Sequence, residues 1–199
     1  MSSKTSTPGV YIIESTKLVD EEENRKEGES LQSILRLTKR PVIYQYIRTE
    51  KELVKMLSQF RGTTFRYLHL ACHGNRSEIA LTLDSISLRR LADLLTPHMD
   101  ERRLFISACE GAQSSLATPL LNASSCFSAA GPATDIDFDV AALVWASFYT
   151  LMSKTNPRVM KLAIIRKNLR SVCDFYKVSF NFFYKDRGVP HQERIRPDR

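Results

Sequence analysis

Short apolar runs alternate with amphipathic stretches along most of the chain. Val10-Tyr-Ile-Ile13, behind Pro8-Gly9, predicts a first strand. Residues 14–28 are polar and charged and predict an exposed loop. Leu31, Ile34, Leu35 and Thr38 follow helical spacing, with Ser30 as N-cap and Pro41 as the stop. Val42 to Ile47 predicts a second strand. Thr49 and Glu52 then form a T-x-x-E capping box ahead of a helix whose apolar face is Leu53, Val54, Leu57 and Phe60. Phe65 to Cys72 and Leu104 to Ala108 read as strands apolar on both faces, the signature of strands covered by helices on each side. Between them lie a small hairpin around Asp84-Ser85 and a helical stripe of Leu88, Leu91, Ala92 and Leu95. A fifth strand is expected within Ser125 to Ala130.

Two more helices are expected. Asp139 to Met152 is apolar nearly all round, as in a core or interface helix. After Asn156-Pro157, a stripe from Leu162 through Tyr176 to Phe180 and Phe183 suggests the second. Strands alternating with helices predict an α/β fold with a mainly parallel central sheet flanked by helices. One domain over 1–185 is expected, followed by a basic, flexible tail over 186–199.

Composition narrows the function classes. No apolar run approaches the ~20 residues of a membrane helix, so no membrane role is expected. Met1 to Gly9 is polar and lacks the apolar core of a secretory signal, so a cytoplasmic location is expected. The net charge is +7, but the basic residues are scattered and interrupted by acids such as Asp20 to Glu23, which disfavours nucleic acid as partner. The cysteines Cys72, Cys109, Cys126 and Cys173 form no C-x-x-C pair for a metal or redox centre.

Ligands of open α/β sheets bind at the carboxyl ends of the strands. There the third strand ends in Cys72-His73-Gly74 and the fourth in Ala108-Cys109-Glu110-Gly111. If those strands are neighbours, imidazole and thiol can meet. A His can promote the thiolate and protonate a departing amine, and the amides of Gly74 and Cys109 can hold an oxyanion. His69 reads as a core residue, because four steps along a strand put it ~13 Å from His73, too far to share a metal. Cys72 should point to the face opposite His73. Glu110 either orients the loop after the thiol or is a solvated loop residue.

Tyr67-Leu-His-Leu-Ala-Cys-His-Gly74 and Leu104-Phe-Ile-Ser-Ala-Cys-Glu-Gly111 closely resemble the two signature blocks of CHAT peptidases, in the caspase-like clan. Asp139, Ala141, Ala142, Trp145, Phe148 and Tyr149 resemble a third block, and the resemblance covers roughly 40–185. It implies a caspase-like (caspase-haemoglobinase) fold, a His73–Cys109 dyad without a third catalytic residue, no cofactor or metal, and a protein or peptide substrate. It also implies a regulated bacterial effector, with an activating or inhibitory partner protein. Family analogy adds antiviral defence or cell death as the setting, with a gasdermin or companion protein as target. The chain departs from the family in having Gly111 directly after Glu110, and in lacking a tryptophan within Ala129 to Thr134. Thr134-Asp-Ile-Asp-Phe-Asp139 resembles the separase pattern whose final Asp holds a substrate arginine. By that match Asp139, with Asp137 and Glu110 nearby, would select Arg or Lys before the scissile bond; Asp139 is equally suited to cap the helix beginning there. The competing readings are a catalytically silent caspase-fold binding module and a basic RNA-binding domain.

Overall fold

A computed structural model describes residues 8–155 and 161–198. The chain enters through strand β1 (Val10–Glu14), a single short turn of helix α1 (Leu18–Glu22) and helix α2 (Glu27–Leu37). Strand β2 (Val42–Tyr46) and helix α3 (Glu50–Arg61) follow, then β3 (Tyr67–Ala71). A small side sheet is made from β4 (His73–Gly74), β5 (Glu78–Ala80) and β6 (Ser85–Ser87). Helix α4 (Leu88–Leu95), β7 (Arg103–Ser107), α5 (Ser114–Ala123) and β8 (Ser128–Pro132) come next. The chain finishes with α6 (Phe138–Thr155), α7 (Leu162–Tyr176), β9 (Phe180–Asp186) and β10 (Val189–Ile195).

The main sheet has seven strands in the order β10-β9-β8-β7-β3-β1-β2. The pairs among β2, β1, β3, β7 and β8 are parallel, and β9 and β10 add antiparallel. Both faces are apolar, as expected for central parallel strands. Tyr11, Ile13, Leu68, Leu70, Leu104 and Ile106 belong to one core with Leu57, Phe60, Leu91 and Leu120 of α3, α4 and α5. Val10, Ile12, Tyr67 and Phe105 belong to the other, with Leu31, Trp145, Phe148 and Leu169 of α2, α6 and α7. Trp145 is fully buried, its ring 5.7 Å from Phe105 and 5.2 Å from Phe180 in edge-on contacts. The stripe read as a core helix is therefore the α6 spine. Among the described residues no helix is long and apolar enough to cross a membrane.

The capping box forms as expected: the Thr49 side chain accepts from Glu52 N, and Glu52 accepts from Thr49 N. Four segments differ from expectation. Residues 14–28 are not an open loop but carry α1 and the start of α2, and α2 begins at Glu27 with Lys26, not Ser30, as N-cap. Helix α5, not expected, buries Leu116, Ala117, Leu120 and Leu121; Pro119 inside it obscures the pattern. The helical stripe through Phe180 and Phe183 ends early, because Lys177 turns the chain with a left-handed φ of 55°. Phe180 and Phe182 then face one core and Phe183 the other, the alternation of a strand. The flexible tail expected over 186–199 is corrected likewise, since 189–195 form β10. Asp186 and Val189 pair across a two-residue turn in which Arg187 and Gly188 both take positive φ, 50° and 85°. That is the twist a tight hairpin needs. The Asn156-Pro157 break and Met1 to Thr7 lie outside the described residues.

Candidate active site

β3 and β7 pair in parallel from Tyr67↔Arg103 to Ala71↔Ser107, so their carboxyl ends coincide. The Cys72 amide extends that ladder by donating to the Ser107 carbonyl at 3.0 Å. Cys72-His73-Gly74 and Ala108-Cys109 thus leave the sheet side by side, although 36 residues separate His73 from Cys109. Ala108 to Gly111 is a tight turn closed by Gly111 N donating to Ala108 O at 3.1 Å. Glu110 occupies it with φ +51°, a conformation uncommon for a side-chain-bearing residue. Gly74 packs against this turn: a Cβ there would stand 3.1 Å from Ala108 Cβ and 3.6 Å from the Cys109 carbonyl oxygen. A side chain at 74 would require Ala108 and the Glu78 carbonyl, also at 3.1 Å, to give by a few tenths of an ångström.

His73 and Cys109 line one cleft of about 470 Å³, counting the space open to solvent. Its floor holds Glu14 and Glu27; Ile136 and Phe138 wall it. Among the described residues no hydrogen bond joins His73 to Cys109. The Cys109 thiol donates to the Ile136 carbonyl at 3.5 Å. His73 Nε2 lies 2.7 Å from Asp20 Oδ2, and the ring stacks on Phe138 with centroids 6.4 Å apart. Asp20 in turn meets Arg25 Nη1 at 3.1 Å through its other oxygen, and the Arg25 guanidinium sits over Phe138 at 5.1 Å.

The floor carboxylates are almost fully enclosed, Glu14 1% and Glu27 4% exposed. Glu14 accepts from the amides of Gly28 at 2.7 Å and Glu29 at 3.2 Å, in the first turn of α2, and from Tyr44 Oη at 2.7 Å. Gly28 permits this approach, since a Cβ there would meet Ile12 Cγ2 at 2.9 Å. Burial outweighs those bonds and pushes the Glu14 carboxyl up to about 7. Glu27 Oε2 accepts from Ser107 Oγ at 2.8 Å. Its Oε1 is 3.7 Å from His69 Nε2 and, among the described residues, has no hydrogen-bond partner. His69 is the core residue expected, with Tyr149 Oη 3.3 Å from its Nδ1 and Trp145 edge-on at 5.1 Å.

In the acidic stretch before α6 the carboxylates and the apolar side chains take opposite faces. Asp135, Asp137 and Asp139 are exposed, whereas the intervening Ile136 and Phe138 face the cleft. Burying the two apolar side chains leaves the carboxylates outside, and α6 starting at Phe138 ends the alternation. Asp139 Oδ1 accepts from the Val140 amide at 2.9 Å within the first turn of α6. Glu110 forms an ion pair with Arg76 at 2.7 Å, tying the turn after Cys109 to the loop after β4.

Sequence reasoning missed Asp20, Glu14, Glu27 and Phe138. A carboxylate closing an apolar strand, as Glu14 closes β1, was the available signal, because that position is where α/β ligands sit. Nothing in the spacing of Asp20 marks it out from its acidic neighbours.

Cys72 packs against the α3/α4 core and also borders the cleft. Burial pushes its thiol up to about 12, which keeps it protonated at neutral pH. Cys72→Ser is therefore expected to leave Cys109 alkylation by iodoacetamide within about twofold of the parent, at some cost in stability for the buried hydroxyl. Mass spectrometry that finds the label on residue 72 in the parent protein would reverse the assignment of the two thiols.

Caspase-1 from Spodoptera frugiperda is a solved structure similar to this chain, with a TM-score of 0.54 and 12% identity over 85% of this chain and 77% of that one. The likeness shows the fold: a caspase-like α/β architecture with a mainly parallel sheet flanked by helices. No protein-family model matches the chain, and no curated protein matches it by sequence.

Proposed function

We propose that the protein is a CHAT-type cysteine endopeptidase that cleaves a protein substrate through His73 and Cys109. The observation that carries this reading is the register of β3 and β7, which delivers both residues to one cleft at the functional end of a caspase-like sheet. The Cys109 thiolate attacks the scissile carbonyl carbon, and the carbonyl π electrons move to oxygen. Backbone amides at Gly74 and Cys109 hold that oxyanion. As it collapses, the C–N bond breaks and His73 gives its proton to the leaving amine. Water, deprotonated by His73, then releases the acyl group and restores the thiol.

The substrate reading is a basic side chain before the scissile bond. Two sets of carboxylates support it. Glu14 and Glu27 lie on the cleft floor; Asp137 and Asp139, with Glu110, stand outside its lining. An enclosed carboxylate grips a guanidinium far better than a solvated one. Glu27→Gln is accordingly expected to cut the preference for Arg over Leu peptides about tenfold or more. Asp139→Asn is expected to cut it by no more than about fivefold, the range of an exposed ion pair. Competition assays on a fluorogenic Arg, Leu and Asp panel measure both. An unchanged preference in both variants rejects the basic-substrate reading.

The resemblance of the signature blocks supports a cytoplasmic effector in bacterial antiviral defence or programmed cell death, switched by a partner protein. A gasdermin or a companion protein fits as the target. One observation favours a second reading, a catalytically silent binding module: the Cys109 thiol is engaged by the Ile136 carbonyl and not by His73. A silent module shows no hyper-reactive Cys109 toward iodoacetamide and no turnover with any companion protein added.

A further inference from the structure

The geometry points to Asp20 as a positioning residue that fixes the tautomer and orientation of His73, turning the expected dyad into a three-residue relay. This rests on the reading of His73 and Cys109 as the reacting pair. A His beside a thiol has two nitrogens, and only one of them can serve the reaction at a time. Here Nε2 is taken, 2.7 Å from Asp20 Oδ2. A carboxylate can only accept, so Nε2 carries the hydrogen and Nδ1 is left with its lone pair for the thiol. Arg25 Nη1 holds the other carboxylate oxygen of Asp20 at 3.1 Å, so both oxygens are engaged. When His73 takes a second proton, the same carboxylate faces the charge that develops.

Several contacts hold Asp20 where it is. Its side chain is 6% exposed, whereas that of His73 is 30% exposed. The segment leading into α1 is pinned to the sheet by Ser15 N donating to Ala71 O at 2.9 Å. It is pinned to the loop after β5 by Thr82 Oγ1 donating to Thr16 O at 2.8 Å. The Arg25 amide donates back to Asp20 O at 2.8 Å, and Glu21 of α1 forms an ion pair with Arg48. Phe138 then closes the imidazole from its face. A five-residue helix so tightly tethered, in a segment with few apolar side chains, serves mainly to bring one carboxylate to the imidazole. The arrangement resembles the logic of other Cys/Ser–His sites, in which the base is oriented by a third group.

The test uses the full chain, ¹⁵N-labelled on histidine, with Asp20→Asn and Asp20→Ala. In the parent protein the neutral His73 ring is expected in one tautomer, with Nε2 protonated and Nδ1 bare. Asp20→Ala is expected to give a mixture of tautomers. On a cleaved peptide, kcat is expected to fall on the order of 100-fold in both variants, with KM within about threefold, because Asp20 does not touch substrate. A purely structural role would lower the melting temperature and leave the tautomer of folded protein unchanged, which overturns the inference. So does a parent ring that is already mixed, a measurement needing no variant. If the tautomer shifts as expected while no peptide is turned over under any condition, the positioning role stands and the peptidase reading falls.

Discussion

Cys109→Ala is expected to abolish peptide cleavage, by a factor of about 10⁴ or more, without unfolding the protein. The rate expectation follows from chemistry, since alanine offers no electron pair to the carbonyl carbon. The stability expectation follows from position. Cys109 lies in a turn beyond the end of β7 and is only half-buried, and its thiol makes one long polar contact, to Ile136 O. Removing it opens no core cavity of the kind that costs several kcal/mol. His73→Ala should be as damaging to rate, because a thiol without its base is rarely ionised. The double variant should be no worse than either single one, as residues that act as one unit lose their effect together. Fluorogenic peptide assays with and without companion proteins, and thermal melts of each variant, make the comparison. Purified Cys109→Ala that still turns substrate over would place the nucleophile elsewhere.

How much of this was legible depended on how local the signal was. β3 and β7 were readable because central parallel strands must be apolar on both faces, and Tyr67 to Ala71 and Leu104 to Ser107 are almost uninterrupted in that respect. His73 and Cys109 followed from them, since the functional end of a parallel strand is defined once its direction is known. The partners of His73 were hidden for the opposite reason. Asp20 reaches it across 53 residues of sequence, and among Asp20, Glu21, Glu22 and Glu23 nothing local distinguishes the buried carboxylate from the solvated ones. Alternation puts Asp135, Asp137 and Asp139 on one face without saying which face is inward. Ile136 and Phe138 decide it, and they take the inside. β10 escaped notice because an edge strand needs few apolar residues: in Val189–Ile195 only Ile195 is fully buried, and Pro190 is tolerated at an edge.

The enclosed carboxylate under the cleft makes stability itself pH-dependent, and Glu14→Gln should reveal it. Glu14 titrates at about 7 in the folded protein against its ordinary 4.5, chiefly because it is buried. Between those two values the folded form holds a proton that the unfolded chain has already released. Its contribution is therefore present in full below pH 4.5 and is lost as pH rises to about 7, after which it stays lost. The shift amounts to about 3 kcal/mol, a large part of a typical folding free energy. Urea unfolding of parent and Glu14→Gln from pH 4 to pH 8 should show the parent losing about that much relative to the variant, most of it between pH 5 and 7. Parallel curves would mean that Glu14 keeps its ordinary acidity and that the floor is wetter than its 1% exposure implies. The same ionisation bears on the substrate. A guanidinium drawn into the cleft favours the charged form of Glu14, so binding a basic side chain near pH 6 should release a proton. Calorimetry of a basic peptide in buffers of differing ionisation enthalpy, with the Cys109→Ala protein to prevent turnover, detects that release. A binding enthalpy that does not depend on the buffer would place the cation away from Glu14.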